Sequence, residues 1–296
     1  MRRLLLLPLL LLVAACGSSA TADHRIAVVA TTTQVADFAR NVGGSHVDVK
    51  QILAPNSDPH EYELRPHDIQ AVADADVVLR SGGDVDEWIG EAIEGSGTDA
   101  PVVDLGRSVT LHGDDPHWWQ DPRNALAATR EVEAALAKAD PAHKAAYAHA
   151  AHAYERRLRR LDSGVRACMA KVPAAQRKLV TTHDALGYYA RRYGIDVIGT
   201  VIPSLTTEGQ PSAGDTARLI ATIRRTGVKA IFAESSVNPK VEAAIARETG
   251  AKVGRALWAD TLGPKGSDGA TYLQSIASNT NAIVDGLTGG KATCDL

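Results

Sequence analysis

Residues 124–172 read NALAATREVEAALAKADPAHKAAYAHAAHAYERRLRRLDSGVRACMAKV, and this stretch decides the architecture. It offers no strand candidate, only Ala, Glu, Arg, Lys and Leu at helical spacing. Pro141 splits it into two helices, because proline suits a first helical turn and clashes in an interior. At about 1.5 Å per residue the second helix, over 141–169, is about 40 Å long.

Working outward, the pattern changes on both sides. Upstream, short β-branched runs at 25–30, 47–53, 76–80 and 101–105 predict strands, and downstream so do 178–182, 196–201, 230–234 and 252–258. Helical patterns lie between them, as at 34–42, 65–73 and 213–226. Such alternation, with nearly continuous apolar strands, argues for parallel sheets covered on both faces. The expected fold class is α/β, with two lobes that each hold a parallel sheet flanked by helices. The lobes span 25–140 and 173–296, joined by a long rigid helix over 141–172.

The first residues belong to neither lobe. Arg2 and Arg3 precede an apolar run over 4–13, which ends in Val13-Ala14-Ala15-Cys16. The run is too short for a permanent membrane span and fits a secretory signal. It resembles the lipobox of bacterial lipoproteins, which implies lipidation at Cys16 and loss of the preceding residues; a plain cleaved signal peptide is the alternative. Residues 1–16 are then a lipoprotein signal peptide, and the small polar residues of 17–24 a flexible tether. Without 1–16 the chain has 30 basic and 35 acidic residues, a charge of −5 instead of −3. Neither value supports a nucleic-acid-binding surface. Cys168 and Cys294 remain, and an exported pair is a candidate disulfide worth roughly 4–5 kcal/mol, although spacing alone leaves the pairing open.

Aromatic residues make up only 4% of the chain, yet there are ten histidines. Three of these histidines and one aspartate each follow a predicted strand. His60 follows the second strand, His117 the fourth and Asp260 the last, while His183 directly ends the strand 178–182. Ligands of open parallel sheets collect beyond the carboxyl ends of strands, so a cleft between lobes would bring all four together. Three imidazoles and a carboxylate suit Zn²⁺. Taken singly, each has a plainer reading: a loop histidine is usually solvated, and Asp260 would serve as a helix cap. The joint pattern is what points to metal. The sequence Asp-Pro-His occurs twice, at Asp58-Pro59-His60 and Asp115-Pro116-His117.

The chain resembles the metal-specific solute-binding lipoproteins of bacterial zinc and manganese ABC transporters. The resemblance rests on 55–64 (PNSDPHEYEL), 115–122 (DPHWWQDP), 182–189 (THDALGYY), 232–235 (FAES) and 257–263 (LWADTLG). It implies that His60, His117, His183 and Asp260 are metal ligands, in a cleft between two lobes bridged by a long helix. It also implies a membrane permease and a separate ATPase as partners, and a lipid-anchored monomer at the outer face of the cytoplasmic membrane. Manganese-carrying relatives generally have Glu where His183 stands, which points here to Zn²⁺ over Mn²⁺. The donor chemistry agrees, since Mn²⁺ needs more oxygen ligands to be selected. Many zinc relatives carry a long His-rich loop before the second ligand. This chain departs from them, with only Leu111-His112-Gly113-Asp114-Asp115 at that place.

Glu234 and Asp184 are candidate acceptors for the free N–H of a ligating imidazole, and Trp118 and Trp119 would dry the surroundings of His117. Glu61, Glu63, His67, His143, His149 and His152 read as solvated or helical surface residues. An exported zinc hydrolase is the rival reading, but His-Glu-x-x-His is absent: His60-Glu61 is followed by His67. A surface adhesin is the other rival, and it would require no metal shell. The chain is therefore expected to be a carrier and not an enzyme.

Overall fold

The computed structural model describes residues 25–296; the signal peptide, Cys16 and the tether lie outside the described residues. The first half alternates strands with helices: β1 (Ile26–Ala30), α1 (Thr33–Gly43), β2 (Val47–Gln51), α2 (Pro66–Ala73), β3 (Val77–Arg80), α3 (Ile89–Ser96) and β4 (Val102–Asp104). Their sheet is wholly parallel, in the order β2-β1-β3-β4. β1 sits inside it, with Val28 facing Val49 on one side and Val77 on the other. Thr32 starts α1 by accepting the Val35 N–H at its side chain.

Two antiparallel helices follow, α4 (Pro122–Ala139) and α5 (Lys144–Met169). Pro141 opens a 3₁₀ turn between them, so the long helix begins at Lys144, three residues later than the sequence suggested. Its buried stripe runs Tyr147, Ala151, Tyr154, Leu158, Leu161, Val165, Cys168, alternating steps of four and three. The arginines of α5 at 156, 157, 159, 160 and 166 are exposed. The stripe packs against α1 and α4 on one side and the last helix on the other. α5 thus contributes a wall to a core cluster that draws residues from both halves of the chain.

The second half comprises β5 (Lys178–Thr181), α6 (Gly187–Tyr193), β6 (Asp196–Thr200), α7 (Ala213–Thr226), β7 (Ala230–Ile231), α8 (Lys240–Thr249), β8 (Lys252–Val253) and α9 (Tyr272–Thr288). β5 pairs with β6 and β7 with β8, all parallel, and a bridge from Thr181 to Phe232 joins the two pairs. The resulting order β6-β5-β7-β8 repeats that of the first sheet.

Two strands are shorter than the sequence predicted. Regular pairing of the runs 230–234 and 252–258 stops after two residues each and resumes as a single bridge between Glu234 and Leu257. At the point where pairing lapses, Gly254 donates its N–H to Ile231 O, and its backbone passes so close to the Phe232 ring that any Cβ would collide with it. Cys168, at the end of α5, is disulfide-bonded to Cys294 across a sequence separation of 126, with Cα atoms 5.6 Å apart.

Candidate metal centre

The two Asp-Pro-His triplets fold alike. In each, the aspartate Oδ1 accepts the backbone N–H of the histidine two residues on, at 3.0 Å for both Asp58–His60 and Asp115–His117. These turns aim the imidazoles. Beyond them the triplets diverge: Asp115 Oδ1 also meets His117 Nδ1 at 2.8 Å, whereas Asp58 Oδ2 accepts the Thr207 hydroxyl at 2.7 Å. The second contact fastens the His60 loop to the other half of the molecule. Asn56, whose φ is +61°, turns this loop and donates its N–H to Leu262 O and Thr261 Oγ1.

His183 lies two residues beyond the end of β5. Glu234 Oε1 accepts both its backbone N–H, at 3.0 Å, and Nδ1–H, at 2.8 Å. Because a carboxylate only accepts, Nδ1 of both His117 and His183 carries a proton, and Nε2 of each is the atom left to face the other donors. Asp260 is held from the first half, where Trp119 Nε1 and Gln120 Nε2 both donate to Ala259 O, at 2.9 and 2.7 Å.

The four side chains converge. Asp260 Oδ2 lies 3.1 Å from His183 Nε2 and 3.5 Å from His60 Nε2, and Oδ1 lies 3.5 Å from His117 Nε2. The His117 and His183 Nε2 atoms are 3.3 Å apart, and one donor atom from each residue lies within 4.8 Å of all the others. A tetrahedral shell with bonds of about 2.0–2.1 Å places neighbouring donors about 3.3 Å apart. His117, His183 and Asp260 are at most 1% exposed. Buried polar atoms nearly always have hydrogen-bond partners, yet among the described residues His60 Nε2 and both Asp260 oxygens face only other donors of this cluster, at 3.1–3.5 Å. Chemically, these orphaned atoms fit a cation between them.

The charges are strongly linked. Burial would lower the pKa of His183, but the charges of Asp260 and Glu234 and their hydrogen bonds raise it to about 11. Burial would raise Asp260, yet His183 and His117 hold it well below the usual carboxylate range. Burial opposes protonation of His60, and Asp260 nonetheless raises it. Glu234 is pushed up by burial against the pull of His183.

Asp184 is a correction. It makes no hydrogen bond to an imidazole among the described residues, and its backbone N–H goes to Ser204 O. Nor does it cap a helix, since the N-cap of α6 is Leu186. Burial, then the charge of Asp115, raises its carboxyl. Asp115 holds the position on His117 that sequence reasoning left unassigned, and the repeated Asp-Pro-His was its signal. Trp119 packs edge-on against His117, with ring centroids 5.5 Å apart, and Trp118 Nε1 donates to Ser81 O. His112 lies against Tyr188, while Glu61, Glu63, His67, His149 and His152 are exposed and none is among the converging donors.

Residues 28–286 match the family described as zinc-uptake complex component A, periplasmic (ZnuA). The chain is 34% identical to the manganese-binding lipoprotein MntA of Bacillus subtilis, over 92% of this chain and 94% of that protein. It is 30% identical to the zinc-binding protein TroA of Treponema pallidum, over 92% of each. The solved structure of the periplasmic zinc-binding protein TroA superposes with a TM-score of 0.82 at 29% identity, covering 89% of this chain and 99% of the other.

Proposed function

The chain belongs to the ZnuA family of metal-binding components, and from that premise we propose that it captures Zn²⁺ outside the cytoplasm for import. It is a substrate-binding component of a metal ABC transporter and not an enzyme. In this reading His60, His117, His183 and Asp260 bind the ion, with Asp115 and Glu234 fixing two of the imidazoles. The observation that carries it is the convergence of four donors within 4.8 Å of one another, among them buried atoms that face nothing but the rest of the cluster.

Three imidazoles and a single carboxylate favour Zn²⁺, because Mn²⁺ sites rely on oxygen donors. Manganese carriage is the second reading, favoured by the similarity to a relative named for manganese. In the full proposal residues 1–16 direct export, Cys16 carries the lipid and 17–24 tether the body to the outer face of the cytoplasmic membrane. Residues 25–140 and 173–296 then act as two lobes about the 141–172 helix, and the monomer delivers its ion to a permease driven by a separate ATPase. Each lobe contributes two ligands, so small shifts at docking suffice to open the shell.

Metal analysis of the purified chain tests this. One zinc per chain is expected, with zinc preferred over manganese in buffered competition, and His183→Glu should reduce that preference. Equal or tighter manganese binding sinks the zinc assignment while leaving metal carriage intact. Unchanged zinc affinity in His60→Ala and His117→Ala sinks the site.

A further inference from the structure

A cavity of about 420 Å³ has a lining that includes Asp58, Glu61, Thr182, Thr207, Lys240 and Glu242. Its walls come from both halves of the chain, and two of the lining residues are chain neighbours of donors: Asp58 stands two residues before His60 and Thr182 one before His183. Aliphatic side chains such as Val201 and Val237 complete its lining.

Glu242 is the residue that needs a reason. It sits in the first turn of α8, 1% exposed, and its Oε1 accepts the Thr182 hydroxyl at 2.6 Å. Its Oε2 is buried with no hydrogen-bond partner among the described residues. A buried carboxylate oxygen left without a donor or cation is costly. A helix N-terminus favours a negative charge there, but it does not give that oxygen a partner.

We propose that this cavity is an antechamber, where a hydrated divalent cation pauses against Glu242 between solvent and the four-donor centre. The inference rests on the metal-carriage reading. Six waters at about 30 Å³ each make about 180 Å³, so a fully hydrated ion fits the volume. Asp58, Glu61 and Glu242 outnumber Lys240, and that balance concentrates cations in the cavity. The threonine hydroxyls and carboxylate oxygens accept hydrogen bonds from the ion's water shell, which is shed when the ion passes to the histidines.

Stopped-flow association of free Mn²⁺ and Zn²⁺ with the metal-free full chain, followed with a competing fluorescent chelator, tests the proposal. Glu242→Gln keeps an acceptor for Thr182 and removes the charge. It is expected to slow association at least fivefold and to slow dissociation in step, leaving Kd within threefold, because a way-station alters the route and not its ends. Lys240→Gln, at the exposed start of α8, is expected to speed association about twofold, and it decides the matter if Glu242→Gln does not fold. Glu63→Gln, on the same loop but outside the cavity, should change neither rate. Association of Glu242→Gln within twofold of wild type overturns the proposal. So does equal slowing by Glu63→Gln, or a Kd shift without a rate change on binding. Failure of the wild-type chain to bind one ion would instead sink the carriage reading.

Discussion

Metal must displace a proton at His183, and the cost of that exchange sets the pH dependence of binding. In the metal-free protein the charges of Asp260 and Glu234 overcome burial and raise His183 to about 11. Between pH 7 and 9 the residue is then an imidazolium, and Nε2 can ligate only after losing its proton. One proton released per ion makes the apparent Kd fall about tenfold per pH unit, or about a hundredfold from pH 7 to 9. A histidine with an ordinary pKa of about 6.5 would give a nearly flat profile above pH 7.5. The slope is read from chelator competition at fixed free metal across this range, and the proton count from calorimetry in two buffers of different ionisation enthalpy. Glu234→Gln serves as an internal control: its amide oxygen still accepts from Nδ1, but with the charge gone the slope should flatten. A wild-type Kd that does not change above pH 7.5 refutes the electrostatic account of the site.

The same ionisation acts on folding. A pKa raised on folding gives His183 a stabilising contribution that is full below about 6.5 and lost as pH climbs toward 11, so the metal-free Tm should fall from pH 7 to 9.5; a rising Tm contradicts it. Reducing the Cys168–Cys294 bond opens a constraint spanning 126 residues, which the chain-entropy relation values at about 5 kcal/mol. Urea midpoints with and without reductant should differ accordingly, with metal affinity little changed. Leu158→Ala, in the buried stripe of α5, is expected to cost about 2–5 kcal/mol in the same assay. Thr207→Val removes the hydrogen bond that fastens Asp58 across the molecule, and a two- to tenfold loss of metal affinity is expected from about 0.5–1.5 kcal/mol.

Much of the architecture was legible because it rests on local pattern. The Ala-rich stretch around Pro141 has one physical solution, two helices and a turn, and the apolar runs of the first half became strands within two residues of their predicted ends. The meeting of His60, His117, His183 and Asp260 was anticipated from strand-end positions alone. What sequence hid depends on tertiary contact. The shortening of β7 and β8 goes with a close approach of Gly254 to the ring of Phe232, 22 residues earlier in the chain. Asp115 and Asp184 are equally plausible partners by adjacency to a histidine. Only the turn geometry of Asp-Pro-His, which brings Oδ1 to both the backbone and ring N–H of His117, separates them. Glu242 gave no signal at all, since a glutamate in a first helical turn ordinarily faces water.

The placement of β1 has a mechanical consequence. It is the first strand of the described chain, yet it lies inside its sheet, paired over five residues with β2 and over three with β3. Any tension arriving through the residues before Ile26 loads both ladders along their length. The bonds on each flank are then sheared together and do not unzip one by one, so a body pulled from its N-terminal side resists at its strongest seam.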